Sequence, residues 1–140
     1  MSAAESCTGG MLGSAITSVP GSSEYFLGGV VTYSNDSKER LLGVRKTTMV
    51  ESGAVSEETS IEMAAGARRL FGSDISVSLT GVAGPGGGSS AKPVGLVWIS
   101  VSTKKGTFAK SFNFSGGRND VRAEAVNAAI RLLADAAAEF

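Results

Sequence analysis

The chain has 140 residues, equal numbers of basic and acidic side chains (13 each), and no histidine. A hydrophobic content of 42% is enough for one packed domain, and a net charge of zero argues against a nucleic-acid binder that works by neutralising phosphates. The absence of histidine excludes the Ser-His-Asp triad, the Cys-His pair and histidine-ligated metals, and the single cysteine excludes an internal disulfide and a thiolate zinc site. Any catalysis must therefore use Ser, Thr, Lys, Tyr, carboxylates or backbone dipoles, and we expect no metal or cofactor.

The composition also predicts where the protein works. Residues 1–23 have neither a basic start nor a continuous apolar stretch, so they are not a signal peptide. No apolar run approaches the roughly 18 residues that would span a bilayer. A single cysteine fits a reducing compartment. We therefore expect a cytoplasmic protein with no nucleic-acid or membrane partner.

Periodicity of apolar residues, together with turn and capping signals, predicts nine elements. They are, in chain order, helix 11–18, strand 28–34, helices 36–42, 47–52 and 57–71, strands 75–80, 94–101 and 108–114, and helix 120–138. Asn35 or Asp36 is expected to cap the third element, and Ser56 the fifth. Strands and helices that interleave, then end in a hairpin and a helix, predict an α/β fold: a three-layer α/β/α sandwich with a mixed, mostly parallel sheet.

Ser6 lies just before the Thr8-Gly9-Gly10 turn that opens the first predicted helix. Backbone N–H groups of Thr8, Gly9 and Gly10 would be free there, and such amides form a site for a phosphate or a developing oxyanion. The simpler interpretation is that Ser6 or Thr8 caps the helix, and the spacing by itself favours that role.

Lys38 falls in the first turn of the helix after Asn35, where the helix dipole disfavours a cation. Partial burial would add to the dipole and lower the pKa of this lysine. A neutral lysine can take a proton from a serine hydroxyl, and so replace histidine as general base. The alternative is a solvated surface lysine, with Asp36 and Glu39 forming a capping box instead.

Other candidates are weaker when taken singly. The glycine-rich segment 81–90 lacks the Gly-Lys-Ser/Thr ending of a P-loop, so it is either a ligand-binding loop or a plain connection. Thr80 ends a strand, where ligands collect in open α/β sheets. Arg118 and Arg122 are four residues apart and could hold a phosphate or carboxylate, or lie in solvent. Cys7 is most simply a packing residue, because no histidine can activate it.

Several short runs, rich in glycine and serine, occur in a fixed order over essentially the whole chain. They are residues 4–10 (AESCTGG), 19–23 (VPGSS), 28–35 (GGVVTYSN) with Lys38, 42–44 (LGV), 53–57 (GAVSE), 80–85 (TGVAGP), 92–95 (KPVG) and 114–116 (FSG) with Arg118. Together they resemble the CinA C-terminal domain family, whose stand-alone members are nicotinamide-nucleotide amidases.

The resemblance implies hydrolysis of the carboxamide of nicotinamide mononucleotide to nicotinic acid mononucleotide and ammonia. In that family a serine matching Ser6 attacks, a lysine matching Lys38 serves as base, and Tyr33 matches a residue that assists. Thr80 and Arg118 also match positions that line the pocket or assist. With Gly81 and the helix-start residues Thr8, Gly9 and Gly10, they are the expected substrate-binding residues. The alternative is a non-catalytic module that binds a nucleotide or phosphate and has lost activity.

One departure concerns the N-terminus. Family members usually carry a helix and most of a strand before the Ala-Glu-Ser-Cys run, but only Met1-Ser2-Ala3 precede it here. We therefore expect a single domain, residues 1–140, that lacks this helix and strand and holds Ser6 less rigidly. Surfaces exposed by the loss would favour a homo-oligomer.

Overall fold

The computed structural model describes all 140 residues, and its centre is a mixed five-stranded sheet. The strands are β1 Ser2–Glu5, β2 Gly28–Val31, β3 Ser76–Gly81, β4 Leu96–Thr103 and β5 Gly106–Asn113. The helices are α1 Met11–Thr17, α2 Asn35–Leu42, α3 Lys46–Ser52, α4 Glu57–Phe71 and α5 Arg118–Ala138, with one turn of 3-10 helix at Ser22–Glu24. The strand order is β2-β1-β3-β4-β5, in which β1 pairs in parallel with both β2 and β3, and β4 is antiparallel to both β3 and β5.

Two hydrophobic cores lie on opposite faces of this sheet. On one face α1 and α5 cover apolar side chains of β1, β3 and β4. On the other face α2, α3 and α4 enclose a smaller core. The predicted three-layer α/β/α sandwich is therefore confirmed, and only β4 runs against the other four strands. No helix combines the length and the apolar character that crossing a membrane requires.

The strand that was expected to be missing is present. Ser2 pairs with Gly28 on one side and with Ser76 on the other, so β1 is an inner strand of the sheet. Ala3 faces the larger core and Ala4 the smaller, and neither is exposed to solvent. Ser6 is thus held by a fully paired strand. Self-association stays a prediction, but the exposed strand gap that motivated it does not exist.

The segment before α2 differs from its prediction. The strand expected at 28–34 ends at Val31 and lies at the sheet edge, where Gly29 and Val31 are exposed. The next residues leave the sheet because Ser34 caps α2 by accepting from the N–H of Ser37 at 3.1 Å. Neither of the expected caps has this role, and Asp36 contacts Arg40 instead. Lys38 therefore sits in the first turn of α2, over the end of β2.

Hydroxyl groups fasten α4 to the sheet. Ser78 Oγ donates to the carbonyl of Ser60 at 2.6 Å, and Ser76 Oγ donates to the carbonyl of Ala64 at the same distance. Both faces of β3 are consequently buried, although the predicted alternation of apolar and polar residues holds. The expected cap of α4 is confirmed, since Ser56 Oγ accepts from the N–H of Thr59.

Candidate active site

The carboxyl ends of the three parallel strands meet at one edge of the sheet. Ser6 follows β1, Thr32 and Tyr33 follow β2, and Thr80 and Gly81 end β3. The connection from β1 to β2 passes over one face through α1, whereas the connection from β2 to β3 passes over the other face through α4. Chains that diverge in this way leave a crevice at the strand ends, which is where open α/β sheets bind ligands.

A cavity of about 300 Å³ occupies this crevice. Its walls come from the turn after β1, the start of α2, the link between α3 and α4, the glycine loop after β3, and the start of α5. The predicted site residues that line it are Ser6, Tyr33, Lys38, Thr80, Gly81 and Arg118. Thr8, Gly9 and Gly10, which were expected to bind substrate, do not line it.

Ser6 and Lys38 form a buried pair at the base of the cavity. Lys38 Nζ lies 2.9 Å from Ser6 Oγ, 2.7 Å from the carbonyl oxygen of Thr32 and 3.2 Å from that of Tyr33. Lys38 is 1% exposed, so the alternative of a solvated surface lysine is wrong. Burial disfavours the ammonium form and lowers the pKa of Lys38 from 10.5 to about 8.

The contacts of Lys38 suit a neutral amine. An uncharged lysine has two N–H donors and one lone pair. The carbonyls of Thr32 and Tyr33 accept the two N–H groups, which leaves the lone pair directed at the Ser6 hydroxyl. When Lys38 is protonated, the same three oxygens accept its three N–H groups. A proton can therefore move from Ser6 Oγ to Lys38 Nζ without any rearrangement of side chains.

The start of α1 already holds an anion that belongs to the chain. The buried carboxylate of Glu5 accepts from the N–H of Leu12 at 2.8 Å, the N–H of Gly13 at 3.0 Å and the hydroxyl of Thr8 at 2.7 Å. These are the amides that a helix N-terminus offers to a ligand. An acidic residue just before a glycine turn that opens a helix is the signal that could have predicted it.

The turn between Ser6 and α1 departs from expectation in two ways. Its Gly9 N–H is not free, because it donates to the Ser6 carbonyl at 3.1 Å. Neither Ser6 nor Thr8 caps α1, since Ser6 Oγ contacts Lys38 and Thr8 Oγ1 contacts Glu5. The N–H groups of Cys7 and Thr8 donate to no group of the chain, and Cys7 lines the cavity. These two amides are the free donors nearest to Ser6 Oγ in sequence.

Cys7 is not a competing nucleophile. Burial is the main cause that raises the pKa of its thiol to about 11, so the thiolate is scarce at neutral pH. Its side chain packs into the larger core.

Two arginines from the start of α5 have different surroundings. Arg118 lies at the cavity, where its Nη1 donates to the carbonyl of Gly84 at 2.7 Å and its Nη2 to Tyr33 Oη at 3.2 Å. It makes no ion pair with a carboxylate. Arg122 instead donates to carbonyl oxygens of Cys7 and Thr8, outside the cavity lining. Of the two, Arg118 is the one placed to meet an anionic ligand.

Sequence reasoning missed several residues that build the site through their backbone. The carbonyl of Thr32 accepts from Lys38 Nζ, and the carbonyl of Ala54 accepts from Thr80 Oγ1 at 2.8 Å. Val55 and the loop glycines add to the wall. Backbone contacts of this kind leave no residue-type signal, whereas the glycine-rich loop was recognisable. No group of three Cys, Asp or Glu side chains converges in a way that could hold a metal ion.

The fold is a mixed sheet between two helical layers, and a buried serine–lysine pair lies in a crevice where its parallel strands end. These features define an α/β domain. The model of the CinA C-terminal domain family matches residues 1–137, and the chain belongs to this family.

Relatives with similar sequences are longer proteins. The CinA-like protein of Endomicrobium trichonymphae is 56% identical over 133 residues, which are 95% of this chain and 31% of that protein. The CinA-like protein of Thermotoga maritima is 49% identical over 133 residues, which are 95% of this chain and 32% of that protein. This chain therefore spans about a third of the length of these curated relatives.

Solved structures of similar proteins match nearly the whole chain. Competence/damage inducible protein CihA from Agrobacterium tumefaciens superposes with a TM-score of 0.93 at 41% identity, covering 96% of this chain and 82% of that one. The competence damage-inducible protein A from Klebsiella pneumoniae superposes with a TM-score of 0.94 at 37% identity, covering 99% of this chain and 86% of that one.

Proposed function

We propose that this domain hydrolyses the carboxamide of nicotinamide mononucleotide, giving nicotinic acid mononucleotide and ammonia, through a Ser6–Lys38 mechanism. The observation that carries the proposal is the 2.9 Å contact between Lys38 Nζ and Ser6 Oγ at the base of the cavity. Membership of the CinA C-terminal domain family supports the choice of an amide of a pyridine nucleotide as substrate.

Acylation begins with neutral Lys38. Its lone pair takes the hydroxyl proton of Ser6 as Oγ attacks the carboxamide carbon, and the carbonyl electron pair moves to oxygen. The free N–H group of Cys7, which lines the cavity, is the backbone donor available for this oxyanion. When the tetrahedral intermediate collapses, the C–N bond breaks and protonated Lys38 returns its proton to the leaving nitrogen, so that ammonia departs and an ester with Ser6 remains.

Deacylation repeats these steps with water. Neutral Lys38 takes a proton from a water molecule that attacks the ester carbon, and Ser6 Oγ leaves with the proton that Lys38 held. The products are the carboxylic acid and free enzyme. Lys38 can act as base in both acylation and deacylation, because the carbonyl oxygens of Thr32 and Tyr33 accept hydrogen bonds from both its neutral and its protonated form.

Residues at the cavity mouth suit the two ends of the nucleotide. Arg118 is the cation available for the phosphate, since it has no carboxylate partner. Tyr33 Oη accepts from Arg118, which leaves the phenolic proton free to donate. Thr80 Oγ1 donates to Ala54, which leaves its lone pairs free to accept from the carboxamide nitrogen.

The direct test measures ammonia released from nicotinamide mononucleotide. We expect Ser6→Ala and Lys38→Met to lower kcat by at least about 1,000-fold, because each removes one half of the proton-transfer pair. Lys110→Met, a change at an exposed lysine on β5, is the matched control and should retain wild-type turnover. Undiminished turnover in either Ser6→Ala or Lys38→Met would contradict this mechanism.

The alternative of a non-catalytic binding module gives a different pattern. On the interpretation made from the sequence, wild-type protein would bind its ligand through the Gly9-Gly10 helix start and Arg118, of which Arg118 lines the cavity, yet release no ammonia even at high protein concentration. Binding measured by calorimetry beside the ammonia assay separates the two functions.

A further inference from the structure

Arg122 makes all its hydrogen bonds within the protein, and none of them goes to a carboxylate. Nε donates to the carbonyl oxygen of Cys7 at 3.1 Å, Nη2 to that of Thr8 at 3.2 Å, and Nη1 to Asn119 Oδ1 at 3.1 Å. Arg122 lies in the second turn of α5. Its guanidinium therefore joins a long helix to two consecutive peptide groups directly after the nucleophile.

We infer that Arg122 is a positioning residue, which holds the turn directly after Ser6 and with it the Cys7 amide that lines the cavity beside the nucleophile. The inference rests on the proposed function, because it takes the Cys7 amide as the oxyanion donor in the reaction at Ser6. Arg122 touches no substrate in this role and acts only through the turn.

The geometry of the peptide bond transmits the effect. In a planar trans peptide the C=O of one residue and the N–H of the next point in opposite directions. Arg122 draws the carbonyl of Cys7 toward α5, so the N–H of Thr8 must point the other way. The peptide between Ser6 and Cys7 is fixed in turn, because the Ser6 carbonyl accepts from the N–H of Gly9. The free N–H groups of Cys7 and Thr8 thus have set directions.

The turn is held from two sides, and the Arg122 side chain fastens it to α5. Glu5 ties Thr8 Oγ1 and the first amides of α1 together. On the other side Gly9, at φ +56°, lies next to Arg122, and a Cβ there would be in ordinary contact with Nη2 at 3.6 Å. A planar guanidinium reaches two carbonyls at once, which the single ammonium of a lysine does not do in the same geometry.

The first test separates kcat from KM for nicotinamide mononucleotide. We expect Arg122→Ala to lower kcat by about 100-fold, because a displaced amide weakens transition-state binding, while KM changes less than about threefold. Arg122→Lys should show a similar loss of kcat, since it keeps charge and side-chain length but lacks the planar fork. Arg131→Ala, an exposed arginine on the same helix, is the matched control and should keep wild-type constants.

Chemical rescue distinguishes positioning from general damage. Methylguanidinium at a concentration that leaves wild-type activity unchanged should restore part of the kcat of Arg122→Ala and should not help Arg118→Ala, whose defect lies in KM. Unchanged kcat in both Arg122 variants would overturn the inference. So would a loss that appears only in KM, or a loss that matches unfolding measured by circular dichroism and resists rescue.

A second readout does not depend on the substrate. A fluorophosphonate probe forms a bond between phosphorus and Ser6 Oγ and expels fluoride, and its phosphoryl oxygen needs the same amide donor. Labelling should slow about tenfold or more in Arg122→Ala but not in Arg131→Ala. If wild type is labelled but releases no ammonia, nicotinamide mononucleotide is not the substrate. The labelling rates then still decide whether Arg122 has the inferred role. Equal labelling of wild type and Arg122→Ala, or none of either, overturns the inference.

Discussion

Lys38 sits where three physical effects act against its charge. It lies in the first turn of α2, where the helix dipole disfavours a cation, it is almost fully buried, and no carboxylate pairs with it. Burial is the largest cause of its lowered pKa. The carbonyl oxygens of Thr32 and Tyr33 keep the amine in place as the charge changes.

The pKa of Lys38 predicts how activity depends on pH. Only the neutral amine can act as base, so kcat/KM should rise about tenfold per pH unit up to about pH 8 and then level off. The range from pH 7 upward is informative, because the substrate phosphate, with a second pKa of about 6, is already ionised there. Initial rates of ammonia release from pH 7 to 9.5, with circular dichroism confirming an intact fold, give the profile. A flat profile across this range would argue against Lys38 as the titrating base.

Residue identity could predict the reacting groups but not their supports. Ser6 and Lys38 were predicted as a pair from the absence of histidine, the placement of Lys38 and the resemblance to the CinA C-terminal domain family, whereas spacing alone favoured a capping role for Ser6. The role of Glu5 was missed although its place before the glycine turn signals it, and Arg122 was predicted only to bind an anion or lie in solvent, because an arginine that binds carbonyls looks like any other arginine in sequence. Thr32 was missed for a related reason, since its carbonyl is what contacts Lys38.

At the scale of elements, the placement of α2 decides where Lys38 lies. This helix crosses α4 at Gly66, where a Cβ would lie 2.1 Å from the carbonyl oxygen of Leu42. The contact is between backbones, so no side chain can move aside to relieve it. The close crossing keeps the first turn of α2 over the end of β2, next to Ser6.

Alanine substitution at two helical glycines, Gly66 and Gly13, is expected to change the stability of the fold in opposite directions. Gly66→Ala should destabilise the fold by about 1–3 kcal/mol or more through overpacking, and it should also lower turnover by shifting α2. Gly13→Ala in α1 meets only ordinary contacts, the nearest at 3.6 Å from Glu5 Oε2, and should stabilise by about 0.5–1 kcal/mol. Urea unfolding of both variants at one pH measures the difference. A neutral Gly66→Ala would show that α2 and α4 are not in rigid contact.

The elements also show which patterns in sequence can be read. The long helices and the hairpin follow from periodicity and were predicted to within a few residues. β1 was not, because Ser2-Ala3-Ala4-Glu5 has none of the branched or aromatic residues that favour strands. Its small side chains suit an inner strand between two helical layers. The extent of β2 was overestimated because Thr32 and Tyr33 favour strands locally, whereas the cap at Ser34 ends the sheet earlier.

At the scale of the whole molecule, the crevice gathers segments that are far apart in the chain. Ser6 and Arg118 line the same cavity, although Ser6 directly follows the first strand and Arg118 begins the last helix. Unfolding any layer of the sandwich would separate them. A ligand that bridges the cavity must therefore bind the folded chain much better than the unfolded one, and it stabilises the entire domain by mass action.

This linkage predicts a ligand-dependent Tm. In a Ser6→Ala background, which prevents turnover, nicotinamide mononucleotide at about 100 times its Kd should stabilise the fold by about 2.7 kcal/mol and raise Tm by roughly 5–10 °C. Nicotinamide riboside at the same concentration should give a much smaller shift, because it offers Arg118 no phosphate. When Arg118→Ala is added to Ser6→Ala, the mononucleotide should raise Tm no more than the riboside does. When Arg131→Ala is added instead, the mononucleotide should still give the larger rise in Tm. Equal shifts from the two ligands would contradict phosphate binding by Arg118, and no shift from either would place the nucleotide outside this crevice.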